Sequence, residues 1–188
     1  MKKLMMIAAL LVATLSANAQ EMFIKPMVGM DLTTLTGDVE DTKMKVGLVA
    51  GAEFGYNLSE QFGITAGLLY SMQGTKIKDV DKAYKMDYLN IPILANYYII
   101  PGLAIKAGIQ PGFLMSAKHD DVDIKDFYKG FDLSVPLGLS YEFSDFVIDA
   151  RYNLGVSNIV DKDLSKAAGD AKAHNSVIML TLGYKIPF

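Results

Sequence analysis

The run FDLSVPLGLSYEF, residues 131–143, alternates without an exception. Phe131, Leu133, Val135, Leu137, Leu139, Tyr141 and Phe143 share one face of an extended chain, and Asp132, Ser134, Pro136, Gly138, Ser140 and Glu142 share the other. Side chains of a strand point to opposite sides in turn, so a strict period of two demands a sheet with chemically different faces. The same period recurs from residue 22 onward, with almost no helical period to compete with it. It predicts strands over 23–32, 46–56, 62–70, 89–99, 103–109, 131–143, 146–154 and 178–188, eight in all.

The connections between them alternate in length. Short turns are expected near Asn57–Gln61, Ile100–Gly102 and Ser144–Asp145, and long polar loops over 33–44, 75–87, 117–129 and 157–174. Short turns at one end and long loops at the other describe an all-β, eight-stranded antiparallel up-and-down barrel that spans an outer membrane. A membrane crossing by helix is not available. After residue 19 no apolar run approaches the roughly 20 residues that a spanning helix needs.

The first 19 residues read as a signal peptide. Lys2 and Lys3 form a positive start, Leu4 to Leu15 an apolar stretch, and Ala17-Asn18-Ala19 a small-residue cleavage box. Residues 20–188 are then one exported barrel domain. Loss of Lys2 and Lys3 takes the formal charge from −3 to −5. A mildly acidic chain with no basic stripe is a poor match for nucleic acid. With no cysteine, neither a lipid-modified cysteine nor a disulfide framework is possible.

Alternation alone leaves open which face is inside, because a secreted ligand-binding barrel would turn its apolar face inward. Here the polar face is rich in glycine, serine and threonine, which suit a narrow lumen. The apolar face carries bulky residues at nearly every position. Aromatics gather at its two ends: Tyr56, Phe62, Tyr97, Phe143, Phe146 and Phe188 at the short-turn end, and Tyr70, Phe113, Phe131 and Tyr152 toward the long loops. Two aromatic girdles around an apolar band mark the two membrane interfaces, so the apolar face points to lipid.

The lumen then receives Lys25, Asp31, Lys45, Glu53, Lys106, Asp132, Glu142, Asp149, Arg151 and Lys185. Charges shut away from water are expected to pair, and together to plug the barrel rather than conduct. Pro26, Pro92, Pro111 and Pro136 fall inside strands where they cannot donate to the ladder, and bulges are the expected remedy.

The phrases YLNIPILANYY (Tyr88–Tyr98) and DARYNLGVSNI (Asp149–Ile159) resemble the PorT-like family of outer-membrane β-barrel proteins. The resemblance implies an eight-stranded barrel in the outer membrane of a diderm bacterium, inserted by the barrel-assembly machinery, and supplies no catalytic residue. What is known of such barrels implies that a last strand ending in an aromatic is read as an assembly signal. Tyr184, Ile186 and Phe188 in TLGYKIPF fit that description.

Chemistry-bearing clusters are few. His119 lies near Ser116 and Asp120, and His174 near Ser176, which are the residue types of a hydrolase site. Asp120, Asp121, Asp123 and Asp126 could offer oxygen ligands to a cation, without the glycine-centred spacing of an EF-hand loop. No cofactor is implied. The expected role is a non-enzymatic barrel, structural or adhesive, that meets a partner through its four long loops. The alternatives are an accessory of a protein-secretion machinery and, third, a lipid-modifying enzyme.

Overall fold

The computed structural model describes residues 22–38, 42–77, 83–120, 122–167 and 169–188. The expected signal peptide, Asp121 and short stretches of the four long connections lie outside the described residues. The strands are β1 (Met22–Gly37), β2 (Thr42–Lys43), β3 (Lys45–Asn57), β4 (Phe62–Ile77), β5 (Ala83–Asn90), β6 (Ile93–Ile100), β7 (Leu103–His119), β8 (Val122–Asp123), β9 (Phe131–Phe143), β10 (Phe146–Gly155), β11 (Ala173–Tyr184) and β12 (Ile186–Pro187). One short helix, α1 (Lys162–Ala167), and a 3-10 turn at Lys125–Phe127 complete the elements.

Every pairing is antiparallel. β1 pairs with β3 and β3 with β4. β4 pairs with both β5 and β6, which pair on their other side with β7. β9, β10 and β11 follow, and β11 returns to β1 from Met27–Gly183 to Gly37–Ala173. With β5–β6 and β11–β12 each counted as one stave, eight staves close a ring that has no free edge. Such closure is what backbone groups in lipid require. Pro101-Gly102 makes the tight β6–β7 turn, with Gly102 at φ +85, a conformation that suits glycine.

The apolar face points outward. Val46 and Leu48 are 62% and 63% exposed, and the outward rows of Ile, Leu, Phe and Tyr continue around the ring. Rings meet in both girdles: Phe62 with Tyr97, Phe143 with Phe146 and Phe146 with Tyr184 at the short-turn end, and Phe113 with Phe131 toward the other.

The proline expectation needs correction. None of the four sits at a shift of register. β4 pairs Leu69 with Asn90 and Ala66 with Ile93 in one unbroken register, so Pro92 only interrupts the ladder between β5 and β6. Gly67 N–H still donates to Pro92 O at 2.9 Å, and Ile91 N–H to Pro111 O at 2.8 Å. Pro136 faces a lapse in β7–β9 pairing and Pro26 a lapse between β11 and β12, again with register kept. A missing donor removes one rung; it does not oblige the chain to add a residue. The two register shifts lie elsewhere, at Asp87/Tyr88 and Tyr98/Ile100.

The long loops are also shorter than expected, because the strands run on. β1, β4 and β7 reach 16, 16 and 17 residues. Roughly 9–11 residues suffice for a tilted strand to cross a bilayer, so these staves rise past it. In the raised part the alternation changes sense. Leu35, Met86, Ala117 and Ala173 point inward and are buried, while Thr36, Lys76, Lys85 and Lys118 point outward. Above the lipid, water replaces hydrocarbon outside, and the same period of two carries the opposite polarity.

Candidate functional site

The lumen near the short turns holds five charged side chains in one cluster. Lys25 and Glu53 are direct partners in the β1–β3 register, and their ion pair is 2.8 Å. Arg151 Nη2 reaches Glu53 Oε1 at 2.5 Å, and Arg151 Nε and Nη2 donate to Asp149 Oδ1 and Oδ2 at 2.6 and 2.8 Å. Lys106 Nζ donates to Asp149 Oδ2 at 2.5 Å, and Lys25 approaches that oxygen at 3.8 Å. All five are essentially inaccessible to solvent. Asp149 is therefore the hub, touching all three cations.

Glycine makes the room. A Cβ on Gly67 would lie 2.7 Å from Glu53 Cγ, one on Gly138 2.9 Å from Arg151 Cγ, and one on Gly183 2.8 Å from Lys25 Cγ. The small residues of the inward face are thus the negative imprint of the large ones.

The other expected lumen charges do not join this network. Lys185 pairs with Glu142 at 2.9 Å by the short turns, its Nζ 4.9 Å from the Phe23 ring centroid. Asp132, higher up, is held without a cation by Ser157 Oγ at 2.5 Å and Asn175 Nδ2 at 2.8 Å. Asp31 accepts from Ser71, and Lys45 donates to the carbonyls of Met72 and Gln73 at 3.2 and 2.9 Å. Asp132 and Lys45 lie several residues from Asp149 along the staves, whereas Lys185 falls opposite Lys25, a like charge, and turns to Glu142.

The lumen is not uniformly polar either. Met27, Val49, Leu69 and Met179 form a buried apolar layer above the cluster. At the long-loop end Leu35, Met86, Tyr88, Leu114, Ala117, Ile159 and Ala173 form a second, packed against Ile124, Tyr128 and Val160. Ile159 is fully buried and comes from the connection after β10, which folds over the mouth. Asn158 Oδ1 holds it there by accepting from Val160 N–H and Ala173 N–H, both at 3.1 Å. Burial pushes the Tyr128 phenol up to about 12. Ser157, Asn158 and Ile159 are structural residues that sequence reasoning missed as such. The signal was present: an apolar residue in a polar loop, inside the phrase GVSNI. Between the charge cluster and the short turns a cavity of about 20 Å³ remains, lined in part by Lys25, Thr65, Asn96 and Lys106, room for about one water.

Both histidines of the hydrolase-like groups have other neighbours. His119 stacks on Tyr84 with centroids 4.1 Å apart. His174 Nδ1 lies 2.7 Å from Ser157 O, and Ser176 Oγ is engaged with the Tyr152 hydroxyl at 3.0 Å. Of the acidic loop, Asp123 Oδ1 accepts Lys125 N–H at 2.9 Å. Among the described residues no three metal-ligating side chains gather. At the barrel seam Ile186 pairs with Ile24, Phe188 N–H donates to Met22 O at 3.0 Å, and the Phe188 ring lies 6.0 Å from that of Phe54.

A closed eight-stave ring with an apolar exterior and a filled lumen has clear relatives. The family model for the outer membrane protein beta-barrel domain matches residues 18–161. The chain belongs to that family. It is an outer-membrane β-barrel protein of bacterial type, and the match is to this family rather than to the narrower PorT-like one that Tyr88–Tyr98 and Asp149–Ile159 resemble. The comparison with curated proteins finds no match. Among solved structures it is similar to Ail, the attachment invasion locus protein of Yersinia pestis, in complex with the heparin analogue sucrose octasulfate. That likeness has 16% identity and a TM-score of 0.55, over 88% of this chain and 99% of that one. Neisserial surface protein A is similar at 12% identity and a TM-score of 0.57, over 90% of this chain and 100% of that one. At such identities the likeness is one of fold.

Proposed function

We propose that this outer-membrane barrel is a non-enzymatic platform, structural or adhesive, that meets a partner at its raised long-loop end. The observation that carries this is the filled lumen. Buried ion pairs, an apolar layer and a capped mouth leave no continuous passage among the described residues, so the surface available for specificity is the exterior beyond the bilayer. A relative in fold, Ail, has been solved with a sulfated ligand, and function on this fold is set by the site and not by the barrel. The phrases that resemble the PorT-like family favour a second reading, an accessory of a protein-secretion machinery, which would use the same end.

Two measurements test the platform reading. Reconstituted in planar bilayers, the protein should give no sustained large-conductance steps; reproducible open steps would overturn it. Cross-linking and capture from native outer membranes should retain a stoichiometric partner, lost when 157–174 is replaced by a short turn. Secretion components among the captured proteins would favour the second reading.

We further propose that Tyr184, Ile186 and Phe188 form the signal read by the barrel-assembly machinery. Phe188→Asp should leave export intact and reduce assembly, seen by membrane fractionation and by the heat-dependent gel shift of folded barrels. Wild-type assembly of that variant would reduce Phe188 to an interfacial anchor.

A further inference from the structure

The raised wall is not charged evenly around its circumference. On one flank, β2, β4, β5 and β7 stand side by side and carry Lys43, Lys76, Lys85 and Lys118 on their outward faces, all exposed. Lys43 lies directly across from Lys76, and Lys85 directly across from Lys118. Lys85 is also the diagonal neighbour of Lys76, because it pairs with Gly74 and Lys76 pairs with Ala83. Like charges set directly opposite on one face of a sheet oppose strand pairing. Here two such pairs sit in a row, in a chain whose formal charge is −3.

Among the described acids, Asp87 and Asp123 stand beside the second pair, and each has another partner. Asp87 accepts the Tyr70 hydroxyl at 3.0 Å and lies within electrostatic reach of Lys45, as do Lys76 and Lys85. Asp123 stands across from Lys118 and also caps the Lys125 backbone N–H. Among the described residues none of the four lysines is in an ion pair. On the opposite flank, β1 and β11 present Thr34, Thr36, His174 and Ser176 outward in paired register, and a single lysine, Lys172, comes only beyond the end of β11, where its backbone N–H donates to Asp38.

Height identifies the occupant. On the rung below the Lys85–Lys118 pair the same outward face carries Met72, Asp87 and Ser116, with Met115 beside them, and then Tyr70, Leu89 and Phe113 of the girdle. The row therefore stands where the lipid-facing surface gives way to headgroups on the long-loop side, which is the outer leaflet. That leaflet is built from phosphorylated glycolipid. We propose that Lys43, Lys76, Lys85 and Lys118 form a docking surface for the phosphate groups of an outer-leaflet glycolipid, whose acyl chains lie against the apolar face below. A phosphate between facing lysines turns two repulsive cross-strand pairs into charge-assisted contacts. It also gives the barrel a preferred lipid side, with its threonine flank turned elsewhere.

The test uses the full mature barrel in zwitterionic nanodiscs doped with phosphorylated lipid A, with retained lipid counted by native mass spectrometry. Wild type should retain at least about tenfold more of it than the combined Lys43→Gln, Lys76→Gln, Lys85→Gln, Lys118→Gln variant, since each lysine adds to attraction for an anionic surface. The preference should vanish for dephosphorylated lipid A and persist against free inorganic phosphate at equal phosphate concentration. Lys166→Gln with Lys172→Gln should leave retention unchanged. Equal retention by the fourfold variant, an equal loss in the Lys166/Lys172 control, indifference to lipid phosphorylation, or full displacement by inorganic phosphate would each overturn the proposal. The heat-dependent gel shift checks folding. Should the fourfold variant not fold, the pairs Lys43→Gln/Lys76→Gln and Lys85→Gln/Lys118→Gln carry the same comparison, each with a partial loss expected.

Discussion

The two ends of this lumen are both filled, yet by opposite means. Near the short turns three cations enclose two carboxylates, with Asp149 in contact with all three. Near the long loops a layer from Leu35 to Ala173 packs around Ile159 as a soluble protein core would. The membrane explains the division. Where lipid lies outside, the apolar residues are committed outward and the lumen takes what remains. Above the bilayer water lies outside, and apolar residues can turn in. One end thus depends on charge balance and the other on packing, and the two should fail differently.

The largest effect is expected at the hub. Asp149→Asn keeps the shape of the side chain but leaves Lys25, Lys106 and Arg151 facing Glu53 alone. Removing one partner of a buried ion pair typically costs about 3–5 kcal/mol, because the remaining charge stays buried and unmet. Urea unfolding followed by the gel shift should show a loss of that order for the whole barrel. A change below about 1 kcal/mol would mean that the cluster is hydrated or rearranges, and the contrast between the ends would fail.

At the other end Ile159→Ala removes packing without altering charge. Truncating a fully buried Ile costs about 2–5 kcal/mol, and less where the site can collapse. Ile159 lies on a connection and not on a stave, so the loss should be local. Proteolysis within 157–174 and hydrogen exchange at Ala173 should rise before the staves unfold. Global unfolding at the same denaturant concentration as the proteolytic nick would show instead that the cap belongs to the barrel's cooperative unit.

This division also sets what could be foreseen. Within the bilayer the alternation runs along every stave. Together with the bulk of one face, its aromatic ends and the connection lengths, it gives the ring, the outward face, both girdles and the inward position of Lys25, Glu53 and Arg151. It does not give the inward apolar layer of Met27, Val49, Leu69 and Met179. Two further features did not follow. The staves beyond the lipid read as loops because Thr36, Lys76 and Lys85 are polar on the outward side, where the alternation inverts. Which charges meet depends on register: Asp132 shares the lumen with Asp149 but lies at another height, and Lys185 falls opposite Lys25 and turns to Glu142. Register across a ring of eight is a long-range property that no single strand records. The prolines carry the same lesson, since Pro92 breaks a rung while the pairs on either side of it hold the count.

The smallest effect is expected at Lys185, between the two regimes. Its pair with Glu142 has side chains 11% and 25% exposed, unlike the buried cluster a few residues above. Lys185→Met keeps an apolar stem near the Phe23 ring and leaves Glu142 where water can reach it. The loss should therefore fall below about 1 kcal/mol, in the range of partly exposed pairs. Salt separates the two kinds of pair. Raising the ionic strength should shrink the difference between Lys185→Met and wild type, since mobile ions screen charges that solvent can reach. The deficit of Asp149→Asn should stay nearly constant, because ions do not enter the cluster. If both differences shrank together, electrolyte would have access to Asp149, and the lumen would be an open path rather than a plug.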